Sequence, residues 1–181
     1  MKRQVFFSFC FADDAWRAGQ IRNMGLFEQE DLFSDNGWEK VRMQSDDAIK
    51  RWIDREMNMR SCLVVLIGER TASRKWVKYE IEEAWRAGKG IVGVYIHKME
   101  DQFGQQAPKG ENPFEKFYID KNINYISERS YPVDENECKL SLVCKAYDSV
   151  YLLSKNVYLD IKMNIEDWIE EAIDIRGQFK S

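Results

Sequence analysis

Residues 63–96 hold an amphipathic helical segment between two short aliphatic runs, and this order constrains the fold more than any other feature of the chain. The runs are residues 63–67 and 91–96, and short aliphatic runs bounded by glycine are typical of strands buried on both faces. Between them, residues 71–85 place most of their apolar side chains on one helical face. A strand, a helix and a second strand predict a right-handed crossover between parallel strands.

A first strand is predicted near the amino terminus. Residues 5–11 are almost continuously apolar and aromatic, as expected of a strand covered on both faces, and Ser8 is the polar exception. Asp13 or Asp14 can cap a following helix that reaches to about Met24. Ligands of open α/β sheets bind beyond the carboxyl ends of the strands, so we expect Ser8 and the loop after it near any ligand crevice.

A second helix is predicted to begin at Ser45, because a capping hydroxyl followed by two acids favours a helix start. Helical spacing of apolar residues continues to near residue 60. Residues 26–35 are predicted as a short edge strand and a mobile loop, and Asn36 with Gly37 is a strong turn signal. These units predict a three-layer α/β fold of the flavodoxin-like type, with a mainly parallel sheet and helices on both faces.

The carboxyl-terminal part of the chain has a weaker pattern. Residues 99–112 are polar and contain glycine and proline, which predicts a long surface loop. Residues 113–118 and 124–126 are predicted to add a small element or an edge strand. Apolar residues at helical spacing in 138–153 and 165–175 predict two extra carboxyl-terminal helices.

The length and composition predict a single domain. We expect it to span residues 1–181, with a core at about 3–125 and a helical extension at about 126–181. The 27 basic and 31 acidic residues give a net charge of −4, so there is no basic field of the kind that drives nucleic-acid binding. No stretch approaches the roughly 20 apolar residues of a membrane span. We therefore expect a cytoplasmic protein without nucleic-acid or membrane partners.

Several conspicuous side chains have structural explanations. The four cysteines form no CxxC pair and His97 is the only histidine, so we expect reduced core cysteines and no structural zinc. His97 follows the third strand, near the ligand edge, but a single imidazole is more often structural. Trp38, beside a turn signal, either belongs to a gating loop or anchors it. Four tryptophans at helical spacing are expected in the core: Trp16, Trp52, Trp85 and Trp168.

Glu80 is the candidate functional residue of the central helix. It lies about 60° from Val77, on the edge of the apolar stripe, with Trp76 one turn before it. Two interpretations fit: a rim carboxylate paired with a lysine or arginine, or a carboxylate kept half-desolvated because a ligand needs a positioned negative charge. Ser8 likewise is either a small core residue bonded to a neighbouring carbonyl or a residue of the ligand edge.

Arg74 and Lys75 are unusual in a first helical turn. Cations at that position oppose the helix macrodipole by roughly 0.3–1 kcal/mol each, unless an anion shares the space. A phosphate-bearing ligand explains them, and so does ordinary solvation or contact with Glu69.

Motifs of several enzyme classes are absent from the sequence. Neither GxGxxG nor GxxxxGK[ST] occurs, which argues against a Rossmann dinucleotide site and a P-loop. No GxSxG elbow presents a serine nucleophile. A receiver-like metal site could use Asp13 and Asp14, but the strand at 63–67 is followed by Gly68 and Glu69 and supplies no aspartate for phosphorylation.

Several segments resemble a known family. VFFSF near the amino terminus, the later run LVVLIG and above all WVKYEI resemble TIR domains, whose NAD-cleaving members carry a glutamate in a W-x-x-x-E arrangement. A longer ordered series, covering about residues 5–117, is similar to the TIR-like subunit of Thoeris antiphage defence. It consists of VFFSFCFADD, RNMG, WEKV, AIKRWID, VVLIGERTASRKWVKYEIEEAW, GIVGVYIH and KGENPFEKF.

The resemblance implies roles for particular residues. Glu80 would be the catalytic glutamate, and Trp76 would be the aromatic residue packed beside it. Ser8 and Phe9 would approach the substrate from the first strand, and Asp13 of the following loop completes the expected substrate contacts. NAD+ would be the substrate, and neither a cofactor nor a metal is required.

The resemblance also implies an antiviral signalling function. The product would be ADP-ribose or a cyclic ADP-ribose that switches on a partner effector after a phage-derived trigger, and a second copy of the chain would complete the site. Two alternatives stay open: a TIR-like interaction module without chemistry, in which Glu80 is a rim ion-pair residue, and a flavodoxin-like nucleotide sensor that binds without cutting.

Overall fold

The computed structural model describes residues 2–27, 41 and 43–179. The predicted edge strand and loop beyond residue 27, the turn at Asn36 and Gly37, and Trp38 lie outside the described residues. The described strands and helices, in chain order, are β1 (Val5–Ser8), α1 (Phe11–Arg22), α2 (Asp46–Asn58), β2 (Cys62–Ile67), α3 (Lys75–Arg86), β3 (Gly90–Tyr95), β4 (Phe117–Asp120), β5 (Tyr125–Glu128), β6 (Glu137–Lys139), β7 (Ala146–Tyr147) and α4 (Ser154–Gly177). Short 3₁₀ turns lie at Thr71–Ser73, Pro113–Lys116 and Leu140–Leu142.

The main sheet has the strand order β1-β2-β3-β7, and its neighbouring strands are parallel. In the register, Ser8 lies opposite Val65, and Ile67 lies opposite Tyr95. The carboxyl ends of β1, β2 and β3 therefore form one edge. This arrangement confirms the predicted parallel α/β sheet.

The first strand is shorter than predicted, because α1 already begins at Phe11. Cys10 is the residue at the start of that helix, and its side chain makes no capping hydrogen bond. Asp13 and Asp14, predicted as caps, lie instead in the first turn, where the positive end of the helix macrodipole favours acids. The second helix begins as predicted, since Ser45 accepts a hydrogen bond from the backbone N–H of Ala48 at 3.4 Å.

Helices cover both faces of the sheet, as predicted. Alternate residues of β2 divide between two cores: Leu63, Val65 and Ile67 face α2 and α3, whereas Val64 and Leu66 face α1 and α4. The alternation of strand side chains therefore builds a three-layer fold.

The tryptophans are less uniformly buried than predicted. Trp85 is fully buried, and Trp52 and Trp168 are partly buried at the two cores. The prediction for Trp16 is wrong, because its side chain is 55% exposed. Its helix turns Asp14 and Arg17 inwards instead, so the packing face of α1 is partly polar.

The cysteines lie where the sequence predicts them. Cys10, Cys62 and Cys144 are buried, Cys138 is half-buried, and all four are free thiols. Burial raises the pKa of the Cys144 thiol to about 12, so this thiol stays protonated at neutral pH.

The prediction of a helix at residues 138–153 is wrong. This stretch forms β6, a 3₁₀ turn and β7, and β7 pairs with β3 through Gly93 opposite Ala146 and Val94 opposite Tyr147. Only part of the apparent helical face is buried, since Val150 is 85% exposed. Pairing at a free sheet edge therefore overrides the local spacing.

A second, antiparallel sheet of order β5-β4-β6 accounts for the small element predicted after the long loop. The other predicted carboxyl-terminal helix exists and is longer than residues 165–175, since α4 spans Ser154–Gly177 and packs on the main sheet. Only one of the two extra helices is therefore found, and the division into a core and an extension stays a prediction. Among the described residues, no helix has both the length and the apolar character that crossing a membrane requires.

We expect Gly90→Ala to destabilise the protein by about 1–3 kcal/mol, because overpacking a tight helix–sheet contact forces backbone shifts. A Cβ atom on Gly90 would lie 2.8 Å from the backbone nitrogen of Ile173 in α4. Urea unfolding measures the change. Gly19→Ala is the matched control, since its Cβ meets nothing within 4 Å and should raise helix stability by up to about 1 kcal/mol. Equal stability of the two variants would contradict this tight packing.

Candidate active site

Ser8 and Glu80 meet at the carboxyl end of the first strand. Ser8 is the last residue of β1 and shares the sheet face of Phe6, which packs in the same core as Val77 and Ile81 of α3. The Ser8 hydroxyl donates a hydrogen bond to Oε2 of Glu80. Both side chains are buried, at 1% and 5% exposure. The fold therefore brings together two residues that lie 72 positions apart in the chain.

Burial controls the charge of Glu80. It raises the pKa of this carboxyl to about 8, and the hydrogen bond from Ser8 opposes the rise. No lysine or arginine within the described ranges forms an ion pair with Glu80. Glu80 is thus more deeply desolvated than its position at the edge of the helical stripe predicted, and its carboxyl is mostly protonated at pH 7 in the free protein.

Trp76 presents a half-buried aromatic ring one turn before Glu80. The Lys75 ammonium lies 4.7 Å from the centroid of this ring, and Tyr79 packs against it edge to face at 6.0 Å. The ring is therefore held in place on two sides. The predicted role of Trp76 in substrate binding stays a prediction.

The side chains of Phe9 and Asp13 make contacts other than those of Ser8 and Glu80. Phe9 packs against the core beside α1 and α4, on the other face of the sheet from α3 and Glu80. Its ring stacks on that of Phe11, with 6.3 Å between the ring centroids. Asp13 forms an ion pair with Arg70, and the hydrogen bond from this guanidinium lowers the pKa of Asp13. The side chain of Asp13 is thus engaged at the end of β2, and the substrate contacts expected of Phe9 and Asp13 stay predictions.

The cations before α3 have a simpler explanation than a bound phosphate. The helix begins at Lys75, after a 3₁₀ turn, so Arg74 precedes its first turn. Lys75 forms an exposed ion pair with Asp46 of α2. A carboxylate of the chain therefore shares the space around Lys75.

Asp14 and Arg17 form a buried ion pair that the sequence pattern does not predict. Asp14 Oδ1 lies 2.9 Å from Arg17 Nη1, and both side chains are nearly inaccessible. Arg17 also donates to the carbonyl oxygens of Met99 and Gln105, each at 2.7 Å, and so fastens the long loop to α1. The i, i+3 spacing of the pair is visible in the sequence, but its burial is not, because the apolar pattern predicts Trp16 in the core instead.

Comparison with known proteins points to one family. The family model for the TIR-like domain of the Thoeris protein ThsB matches residues 6–101, a range that includes Ser8 and Glu80. A protein of Bacillus cereus (strain MSX-D12), named "Putative cyclic ADP-D-ribose synthase ThsB1", is 36% identical over 120 residues. The match covers 64% of this chain, and the chain spans 62% of the length of that relative.

We expect the stability difference between the wild type and Glu80→Gln to depend on pH. The pKa of Glu80 is about 8 in the folded protein and near 4.5 when unfolded, so the wild type loses stability as pH rises between these values, whereas glutamine stays neutral. At alkaline pH, the free energy of unfolding of the variant should therefore rise relative to that of the wild type by the order of a few kcal/mol. Urea unfolding from about pH 4 to 9 measures this difference.

Glu135→Gln is the control for loss of a carboxylate at the surface, because Glu135 is exposed. The free energy of unfolding of this variant should change with pH in the same way as that of the wild type. A constant difference between wild type and Glu80→Gln at all pH values would contradict a desolvated Glu80.

Proposed function

The chain belongs to the ThsB TIR-like domain family of Thoeris systems, and we propose that it cleaves the nicotinamide–ribose bond of NAD+ and forms a cyclic ADP-ribose-type signal. The observation that carries this proposal is the contact of Glu80 with Ser8 at the carboxyl end of β1, the edge at which ligands of parallel sheets bind. The synthase name of the B. cereus relative supports the same reaction class.

The proposed reaction breaks the bond between C1′ of the ribose and the ring nitrogen of nicotinamide. Nicotinamide leaves with the bonding electrons as a neutral molecule, and positive charge develops on the ribose as an oxocarbenium ion. A carboxylate fixed beside the ribose stabilises this charge, and a fixed group needs no reorganisation during the step. Glu80 is the candidate for this group, and its hydrogen bond with Ser8 holds it in orientation.

The raised pKa of Glu80 suits binding of a cationic substrate. In the free protein a neutral carboxyl avoids the cost of a buried, unpaired charge. When the positively charged nicotinamide ring enters, it favours the ionised carboxylate and lowers the pKa of Glu80. We propose that substrate binding releases this proton and thereby creates the negative charge that the reaction needs.

The acceptor of the ribosyl cation decides the product. Water gives ADP-ribose, whereas a hydroxyl or ring nitrogen of the same nucleotide gives a cyclic product. An attacking hydroxyl loses its proton, which the Glu80 carboxylate can accept. The half-buried ring of Trp76 would exclude water from one side of the site and so favour cyclisation. The chemistry requires no cofactor, no metal and no covalent protein intermediate.

The biological setting is proposed on the family membership. We propose that the chain acts in the cytoplasm, that a phage-derived trigger activates it, that a second copy completes the site, and that its nucleotide product activates a partner effector. The non-catalytic interaction module and the nucleotide sensor remain as alternatives. Both alternatives predict that no nicotinamide is released from NAD+.

We expect Glu80→Gln to lower nicotinamide release from NAD+ by about 10²–10³-fold, as is typical when a group that stabilises transition-state charge is removed. The change keeps the size of the side chain and its ability to pair with Ser8. Release is followed with the full chain over a range of protein concentrations, because a second copy is expected to complete the site.

Glu82→Gln is the matched control, since Glu82 lies on the same helix, is half-buried, and interacts with Lys78 and Glu128 instead of Ser8. It should keep near wild-type activity. Equal turnover by the wild type and Glu80→Gln would overturn the assignment of Glu80, and no release by the wild type at any concentration would favour the non-catalytic alternatives.

We expect kcat/KM for NAD+ to rise with pH and to reach half of its maximum near pH 8, because kcat/KM reports the ionisation of the free protein. The value of kcat should reach half of its maximum at a lower pH, since the bound substrate cation favours the carboxylate. Initial rates from about pH 6 to 9 test this expectation, and a flat kcat/KM profile over that range would contradict it.

A further inference from the structure

A second group of charged side chains lies at the carboxyl end of β3, and we call Lys98, Lys109 and Asp148 the lysine cluster. The ammonium groups of Lys98 and Lys109 lie 3.1 Å and 2.9 Å from the two carboxylate oxygens of Asp148. Lys98 also donates to the carbonyl oxygen of Ser149 at 2.6 Å. Two cations share one carboxylate, so the cluster carries one positive charge in excess.

The excess charge is fixed in place. The Lys109 ammonium lies 4.4 Å from the ring centroid of Tyr95, whose side chain is 8% exposed, and the aromatic face attracts a cation there. Asp148 holds the same ammonium from another side. The Lys109 side chain nevertheless stays 52% exposed, so an incoming ligand can reach it.

His97 borders the lysine cluster. Its imidazole is buried at 6% exposure and packs edge to face on Tyr95 at 5.8 Å. Nδ1 of this ring has no hydrogen-bond partner in the described part of the chain, although buried polar atoms are normally paired. Burial lowers the pKa of His97; the carboxylate of Asp148 opposes this shift, and Lys98 and Lys109 add to it. The imidazole therefore lies beside the two ammonium groups without pairing through Nδ1, and it can report on an anion that binds to them.

We propose that Lys98 and Lys109, which His97 borders, form a binding subsite for the phosphate groups of a nucleotide. Phosphate oxygens accept hydrogen bonds from ammonium groups, and such charge-assisted bonds are the strong ones. The subsite lies at the same edge of the parallel sheet as Ser8 and two strands away, a span of about 10 Å at the usual strand spacing. This span suits a ligand whose ribose lies at Glu80, so the assignment to the NAD+ diphosphate rests on the proposed function.

The single histidine of the chain provides a direct assay that is independent of NAD+ cleavage. The imidazole resonances of the full-length protein are followed by NMR while inorganic pyrophosphate, ADP or adenosine is added. Pyrophosphate and ADP should shift the signal of His97, and adenosine should not. Lys109→Gln should weaken the binding of ADP at least about tenfold, because a hydrogen bond to a charged group is worth a factor of that size.

Lys145→Gln is the matched control. Lys145 is 53% exposed and pairs with a single carboxylate, that of Glu171, so the variant makes the same change of charge outside the lysine cluster. It should leave ADP affinity unchanged, and Lys109→Arg should retain most of it. Lys98→Gln serves as a second test in case Lys109→Gln fails to fold, and the unchanged spectrum of the remaining residues verifies folding.

Three results would overturn the subsite: no shift of the His97 signal with pyrophosphate or ADP, an equal shift with adenosine, or equal ADP affinities of Lys109→Gln, Lys98→Gln and Lys145→Gln. A shift with pyrophosphate but not with ADP would reduce the site to one for inorganic anions and overturn its assignment to a nucleotide.

If ADP binds as expected but NAD+ is never cleaved, the proposed function fails and the subsite stands. If NAD+ is cleaved with the same KM by Lys109→Gln and the wild type, the subsite fails and the function stands.

Discussion

The burial of one carboxyl group, that of Glu80 against Ser8, is the constraint on which the candidate site depends. A desolvated carboxyl is tolerated when it is neutral and hydrogen-bonded, and it becomes costly when it ionises without a partner. The Ser8 hydroxyl supplies the bond, and the apolar cores around β1 and α3 supply the desolvation. The same burial that costs stability at high pH gives the group a proton that a cationic ligand can displace.

The parallel sheet makes this arrangement possible. Because β1, β2 and β3 run in the same direction, their carboxyl ends meet at one edge, and side chains distant in the chain become neighbours there. The loops at this edge are fastened by buried polar contacts: Arg17 holds two carbonyl groups of the loop after β3, and Gly68 lies so close to Asp14 that a Cβ would meet its carboxyl oxygen at 2.0 Å. These contacts therefore hold the described loops against α1 at this edge of the sheet.

The sequence predicted those parts of the fold in which local pattern and tertiary packing agree. Alternating buried strands and amphipathic helices identified the sheet core, and the edge of the apolar stripe identified Glu80. Two features could not be predicted. The spacing of Leu140 and Cys144 resembled a helix, although β7 is formed because the edge of β3 was available for pairing. The inward turn of Asp14 and Arg17 depends on carbonyl groups more than 80 residues away, which no local pattern reveals.

The candidate site and the lysine cluster together match the charge distribution of a dinucleotide with a cationic nicotinamide end. The anionic diphosphate would meet the excess charge near Lys98 and Lys109, while the nicotinamide ribose would meet Glu80, which is neutral until the ligand arrives. The lysine cluster can attract phosphates before Glu80 ionises, because its ammonium groups are charged in the free protein and that of Lys109 is accessible. A permanently ionised Glu80 would be repelled by the same diphosphate during entry. In the proposed reaction, a carboxyl that ionises only beside the nicotinamide cation would avoid this repulsion and would place its charge where the bond breaks.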